Sequence, residues 1–178
     1  MDFRDETQDW DDEDWDILDT MYHKHEFHLV PSRWADYQKL ATLSWQTVRF
    51  DETNSTQIPT SSGIYAFCVE PHITDSLGAC FVMYFGQANN LKRRYGEYTR
   101  EIRAKQGAGR PYVKRMKYYK KAGYLYFYFV QIDSSMVPSS NTLAQFITAL
   151  EDGLIAAFTP PVNKQILDAK VRRAEAAF

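Results

Sequence analysis

Glu151 is the residue whose surroundings first suggest chemistry. It lies among Phe146, Ile147, Leu150, Leu154, Ile155 and Phe158, a spacing that makes an apolar stripe along one side of a helix. Ile147 and Ile155 stand four residues before and after it, so its carboxylate projects from the edge of the inward face while Asp152 points outward. An ionised carboxylate withdrawn from water needs a paired cation, hydrogen bonds or a bound metal. Two readings follow: a salt bridge to a nearby Arg or Lys, or a metal ligand or catalytic acid.

The second concentration of chemistry is basic. Residues 92–121 hold twelve Lys or Arg against two acids, with Lys92, Arg93, Arg94, Arg100, Arg103 and Lys105 crowded into the first half. Such density suits phosphate binding, and the interleaved Tyr95, Tyr98, Tyr112, Tyr118 and Tyr119 could stack on bases or touch sugars. A merely solvated face is the plainer alternative. Arg94 and Tyr98 are four residues apart on one helical face, so both can address one phosphate. His23, His25 and His28 fit no compact zinc spacing and read as surface histidines. Cys68 and Cys80 sit in apolar, strand-like runs, which predicts buried free thiols and no disulfide framework.

These residues require elements to hold them. Met1 to Lys24 carries an Asp-Asp-Glu-Asp run at positions 11–14 and reads as a solvated arm or an acidic helix. From Phe27 to Phe50, Trp34, Tyr37, Leu40, Leu43 and Trp45 recur at helical and then strand-like spacing, as expected of a lead-in packed on the core. Asp51 to Ser62 is rich in Thr, Ser and Asn and predicts a loop. Gly63 to Val69 and Ala79 to Gly86 are β-branched and aromatic runs separated by Pro71, Asp75 and Gly78, the pattern of a hairpin. Asn89 is a candidate cap for a helix running to Lys105, and a second short basic helix follows the Gly107 to Pro111 break. Gly123 to Ile132 alternates Tyr and Phe and predicts a third strand. Ser139 to Asn141 can cap a helix from about Leu143 to Phe158, ended by Pro160 and Pro161, with a last helix over Leu167 to Ala177. The expected fold is α+β: a small antiparallel sheet flanked by helices, behind an acidic N-terminal extension.

Length and composition fit one domain plus that extension. The chain has 178 residues, 44% of them apolar, which is enough to fold a core. Its longest apolar run, Tyr124 to Val130, is seven residues against the roughly 20 needed to span a bilayer, so no membrane segment is expected. Asp2, Asp5 and Glu6 stand where a secretory signal would carry positive charge, which predicts an intracellular, cytoplasmic protein. The net charge of −2 conceals an asymmetry. Residues 1–27 hold 11 acids and two bases, hence −9, whereas residues 28–178 hold 12 acids and 19 bases, hence +7. A basic body with an acidic tail is the pattern expected of a nucleic-acid-binding domain.

The order of short motifs carries the reading further. Gly-Ile-Tyr at 63–65 and Tyr-Phe-Gly at 84–86, followed by Gln-Ala-Asn-Asn-Leu-Lys-Arg-Arg, resembles the GIY-YIG nuclease family. That family's catalytic Arg falls eight residues after the second glycine in an Asn-Leu-x-x-Arg context, where Arg94 stands here, and Tyr98 occupies the Tyr or His position four residues on. Its metal-binding Glu and a later Asn after proline are matched by Glu151 and by Asn163 behind Pro160 and Pro161. The resemblance spans about 100 residues, within a motif core of about 62–165 in a domain covering 28–178.

What the resemblance implies is in-line hydrolysis of DNA phosphodiesters. Tyr65, Tyr84, Arg94, Tyr98 and Glu151 would be catalytic, with Glu151 holding one Mg²⁺ (or Mn²⁺) ion. Tyr65 by preference, or Tyr84, would relay the proton of the attacking water, and nearby positive charge would have to favour the ionised phenol. Gly86, Gln87, Asn90, Arg93 and Asn163 would line the substrate. Two features depart from the family: Gln87 stands where Lys is frequent, and Tyr65 and Tyr84 are farther apart than usual, which implies a longer hairpin loop around Pro71 to Gly78. Gln87 also supports an alternative, a non-catalytic nucleic-acid-binding module that keeps the fold. A third reading is an interaction factor acting through its acidic arm.

Overall fold

The computed structural model describes residues 24–39, 42–74, 77–103 and 111–163. The acidic segment up to residue 23, the tip of the hairpin loop at 75–76, the break after the basic helix and the expected last helix lie outside them.

Four strands form one antiparallel sheet in the order β1-β6-β2-β5: β1 is Gln46–Arg49, β2 Gly63–Val69, β5 Phe81–Ala88 and β6 Leu125–Gln131. The expected hairpin is the β2/β5 pair, and its long connection carries a small ribbon of β3 (His72–Thr74) and β4 (Leu77–Gly78). Among the described residues four α-helices accompany the sheet: α1 (Pro31–Gln38), α2 (Leu91–Arg103), α3 (Pro111–Lys121) and α4 (Leu143–Phe158). The fold is α+β. Asp51 to Ser62 is not wholly irregular, since Glu52–Gln57 winds a 3₁₀ turn capped by the Asp51 side chain.

All seven residues of β2 are buried, because helices cover both faces of the sheet there. Tyr65, Phe67 and Val69 face a core shared with Phe50, Tyr95, Met116 and Phe127. Ile64, Ala66 and Cys68 face the other core, with Phe85, Ile147, Leu150 and Leu154. A strand covered on both sides reads as an unbroken apolar run instead of an alternation, which is how Gly-Ile-Tyr-Ala-Phe-Cys-Val is written. The β2/β5 register runs Phe67 to Tyr84 and then Cys68 to Val82, so Met83 is the extra residue of a β-bulge just before the second motif.

Two helix starts differ from expectation by a residue. At α2 the cap is Asn90, not Asn89: the Asn90 Oδ1 accepts from the Arg93 N–H at 2.8 Å. At α4 the cap is Thr142, which forms a capping box: its hydroxyl accepts from the Gln145 N–H at 3.3 Å while the Gln145 Oε1 accepts from the Thr142 N–H at 2.9 Å. Among the described residues no helix is long and apolar enough to cross a membrane.

Candidate active site

Strand β2 and helix α2 are locked together at the point where both deliver functional side chains. The first N–H groups of α2, which have no partner inside a helix, are taken by carbonyls of the loop before β2: Leu91 N–H to Ser61 at 3.0 Å and Lys92 N–H to Pro59 at 2.9 Å. Gly63 permits this approach, since a Cβ there would clash with the Val130 carbonyl and lie 2.9 Å from Leu91 Cδ1. Leu91, Tyr95, Tyr98 and Ile102 then face the core at i, i+4, i+7 and i+11 and are all buried.

The consequence is a triangle of phenols. Ring centroids of Tyr65 and Tyr84 are 6.0 Å apart, of Tyr65 and Tyr98 5.9 Å, and of Tyr84 and Tyr98 6.5 Å. The Tyr65 and Tyr98 hydroxyls hydrogen-bond at 3.1 Å, and the Tyr84 hydroxyl interacts with both. Gly86 makes room for the triangle: a Cβ there would overlap the Tyr65 phenol and lie 2.8 Å from Tyr84 Cε1. Burial pushes all three phenols above their ordinary value; repulsion from an ionised Tyr84 would push Tyr65 further, and Arg94 opposes the rise at both Tyr65 and Tyr84. Each is therefore a neutral hydrogen-bonding group at neutral pH. The expected help from positive charge is present but weaker than desolvation.

Arg94 lies over the Tyr98 ring at 5.8 Å and donates to Glu97 Oε2 at 2.8 Å. Desolvation alone would lower its pKa, yet the net shift is upward, and with the phenols neutral it is the Glu97 carboxylate that holds the guanidinium charged. Glu97 was not singled out from sequence as part of this site, although its i+3 and i+4 spacing from Arg94 and Arg93 was the signal. Glu151, half-buried on α4, lies close enough to Tyr84 for its charge to raise that phenol, and Asp152 is exposed. Tyr65, Tyr84, Arg94, Tyr98 and Glu151 thus come together from β2, β5, α2 and α4.

The residues expected to line substrate are placed less uniformly. Asn163 is buried and spends its amide on the backbone of Phe85, accepting from the N–H at 2.8 Å and donating to the C=O at 2.9 Å. Asn90 spends its side-chain oxygen on the α2 cap. Gln87 makes long contacts with Thr148 at 3.3 and 3.4 Å, and Arg93 is exposed with a 3.5 Å contact to Glu97. Asn163 and Asn90 are accordingly placed to position the site. Tyr95, read as a base-stacking group, is instead core: its hydroxyl bonds both backbone groups of Asp51, at 2.6 and 2.9 Å. The basic segment is also less free than its composition, since Arg115 is buried and Lys120 pairs with Glu52 at 3.0 Å. Of the two thiols, Cys68 is buried as expected, whereas Cys80 is exposed because it precedes β5.

Among the described residues no three His, Cys, Asp or Glu side chains gather as a metal cage. Glu151 is the carboxylate beside the phenols, and one carboxylate completed by water and phosphate oxygens is a donor set that suits Mg²⁺. No family model, curated protein or solved structure matches the chain.

Proposed function

We propose that the chain is a metal-dependent endonuclease that hydrolyses phosphodiester bonds in DNA through a GIY-YIG-type site. The observation that carries the reading is convergence: five side chains separated by up to 86 positions in sequence, Tyr65 to Glu151, meet in one patch that holds a cation, a carboxylate and three phenols. A core built only for packing has no need of a charged guanidinium and a carboxylate beside the phenols.

Glu151 would hold Mg²⁺ or Mn²⁺, and a bound divalent ion supplies a Lewis acid for a phosphate oxygen and acidifies water. Arg94, half-exposed and held charged, stabilises negative charge on the phosphate. Tyr84 is the phenol that reaches solvent, whereas Tyr65 is 1% exposed and serves from beneath, exchanging hydrogen bonds with Tyr98. This favours Tyr84 over Tyr65 as the group that meets the attacking water. Asn163 and Gly86 keep β5, and so Tyr84, in place.

Incubating the purified chain with supercoiled plasmid in Mg²⁺, Mn²⁺ or EDTA tests the proposal. Nicked or linear product in the metal arms and none in EDTA is expected. DNA binding without cleavage in every arm would refute the enzyme and favour the non-catalytic binding module, to which the uncharged Gln87 already inclines.

A further inference from the structure

Cys68 and Cys80, the two cysteines of the chain, come together on the sheet face opposite the phenol triangle. Cys68 pairs with Val82 across the β2/β5 register, and because side chains alternate along a strand, Cys80 two residues earlier returns to the same face. Both residues line one cavity there, and their thiols hydrogen-bond to each other. The loop between them is closed at its base by the Ala79 N–H, which donates to the Pro71 carbonyl at 3.3 Å, and the β3/β4 ribbon lies within it. The fold thus brings the two sulfurs together with no covalent bond between them.

Their surroundings differ. Cys68 is 3% exposed, whereas Cys80 is open to water. The Tyr128 hydroxyl donates to the Glu70 carboxylate, and both groups lie within hydrogen-bond reach of Cys80. Donation from the Cys68 thiol pulls Cys80 below the ordinary thiol value with help from Tyr128, against its partial burial and the Glu70 charge. Cys68 moves the other way, raised by that same hydrogen bond and by burial. The pair therefore ionises at Cys80, the sulfur that meets solvent, and keeps its proton on Cys68. The thiolate is the form that attacks an oxidant, and an accessible thiolate beside a second thiol can pass from sulfenic acid to disulfide.

We propose that Cys80 and Cys68 form a peroxide-sensitive dithiol, in which Cys80 takes up the oxidant and Cys68 closes a disulfide on it. In the first step the Cys80 thiolate attacks one oxygen of hydrogen peroxide, the O–O bond breaks, and the departing hydroxide takes a proton to become water. Cys80 is then a sulfenic acid. In the second step the Cys68 sulfur gives up its proton and attacks the Cys80 sulfur; the S–O bond breaks, and the hydroxyl leaves with that proton as water. The sum is two thiols and one peroxide giving one disulfide and two waters. The second step is intramolecular and gains from the proximity of the sulfurs. The site is separate from the patch of Arg94, Tyr84 and Glu151 and does not depend on the nuclease reading.

The test treats the full reduced chain, freed of reductant, with hydrogen peroxide, then counts thiols by alkylation of the denatured product and maps them by mass spectrometry. Wild type should lose both alkylatable thiols together and yield a peptide pair joined through Cys68 and Cys80, with both thiols restored by reductant. Cys68→Ala should stop at a Cys80 sulfenic acid that dimedone traps. Cys80→Ser should leave Cys68 reduced, because its sulfur is shielded from peroxide. If Cys68→Ala fails to fold, the wild-type mapping and Cys80→Ser, altered at an exposed position, still decide. A wild type that keeps both thiols, that over-oxidises Cys80 while Cys68 stays reduced, or that joins Cys80 between two chains overturns the proposal. So does oxidation of Cys68 in folded Cys80→Ser at the wild-type rate.

Discussion

Replacing Asn163 by Ala should destabilise the protein more than its place beside the site suggests. Among the described residues β5 is an edge strand, paired only with β2, so the outward N–H and C=O of Phe85 have no strand there to bond. The Asn163 side chain substitutes for that strand with bonds of 2.8 and 2.9 Å, inside a region where Asn163 is 6% exposed and Phe85 4%. Removing it strands two buried backbone groups, each costing about 1–3 kcal/mol. Water reaching the edge recovers part of this, leaving a loss of about 2–4 kcal/mol. For a chain of this size that lowers the melting midpoint by on the order of 10 °C. Thermal unfolding followed by circular dichroism measures the midpoint, and hydrogen exchange reads the Phe85 amide directly. A midpoint within about 2 °C of wild type, with the Phe85 amide still protected, would refute the reasoning and return Asn163 to a substrate-contacting role.

Three further outcomes are expected. Glu151→Gln keeps size and polarity but removes the charge, so metal-dependent plasmid cleavage should disappear while DNA binding in a gel-shift assay persists; full cleavage would end the metal-ligand assignment. Arg94→Ala should slow single-turnover cleavage by roughly 10²–10³-fold, as loss of a donor to developing charge does, with near-wild-type rates meaning that Arg94 only contacts the backbone. Tyr37 and Tyr95 are pushed up to about 12 by burial, against about 10 in the unfolded chain. Their neutral forms are favoured by folding, so this stability is whole below pH 10 and is lost as the pH rises from 10 to 12. Denaturant midpoints that stay flat across that window would contradict their burial.

Much of the site was legible in local pattern. The apolar stripe around Glu151 placed its carboxylate at the inward edge and Asp152 outward, as the structure has them, because helical period alone decides which side of α4 a residue occupies. The stripe of Leu91, Tyr95, Tyr98 and Ile102 was equally periodic, yet the density of Lys and Arg around it drew Tyr95 into a nucleic-acid reading that its burial overturns. The helix starts were placed to within a residue, since Asn90 and Thr142 have Asn, Ser or Thr neighbours able to cap.

What only the tertiary structure decided depends on contacts between residues distant in sequence. β1 pairs with β6 across some 80 positions, which the spacing of Trp45 and its neighbours could not announce. The role of Asn163 follows from Phe85 lying at a sheet edge, and the neutrality of the phenol triangle follows from how much water two packed elements exclude. Period and capping are properties of a few consecutive residues, so the sequence by itself determined them. Edge pairing and desolvation are set by what packs against each element, and that is specified only once the whole sheet has closed.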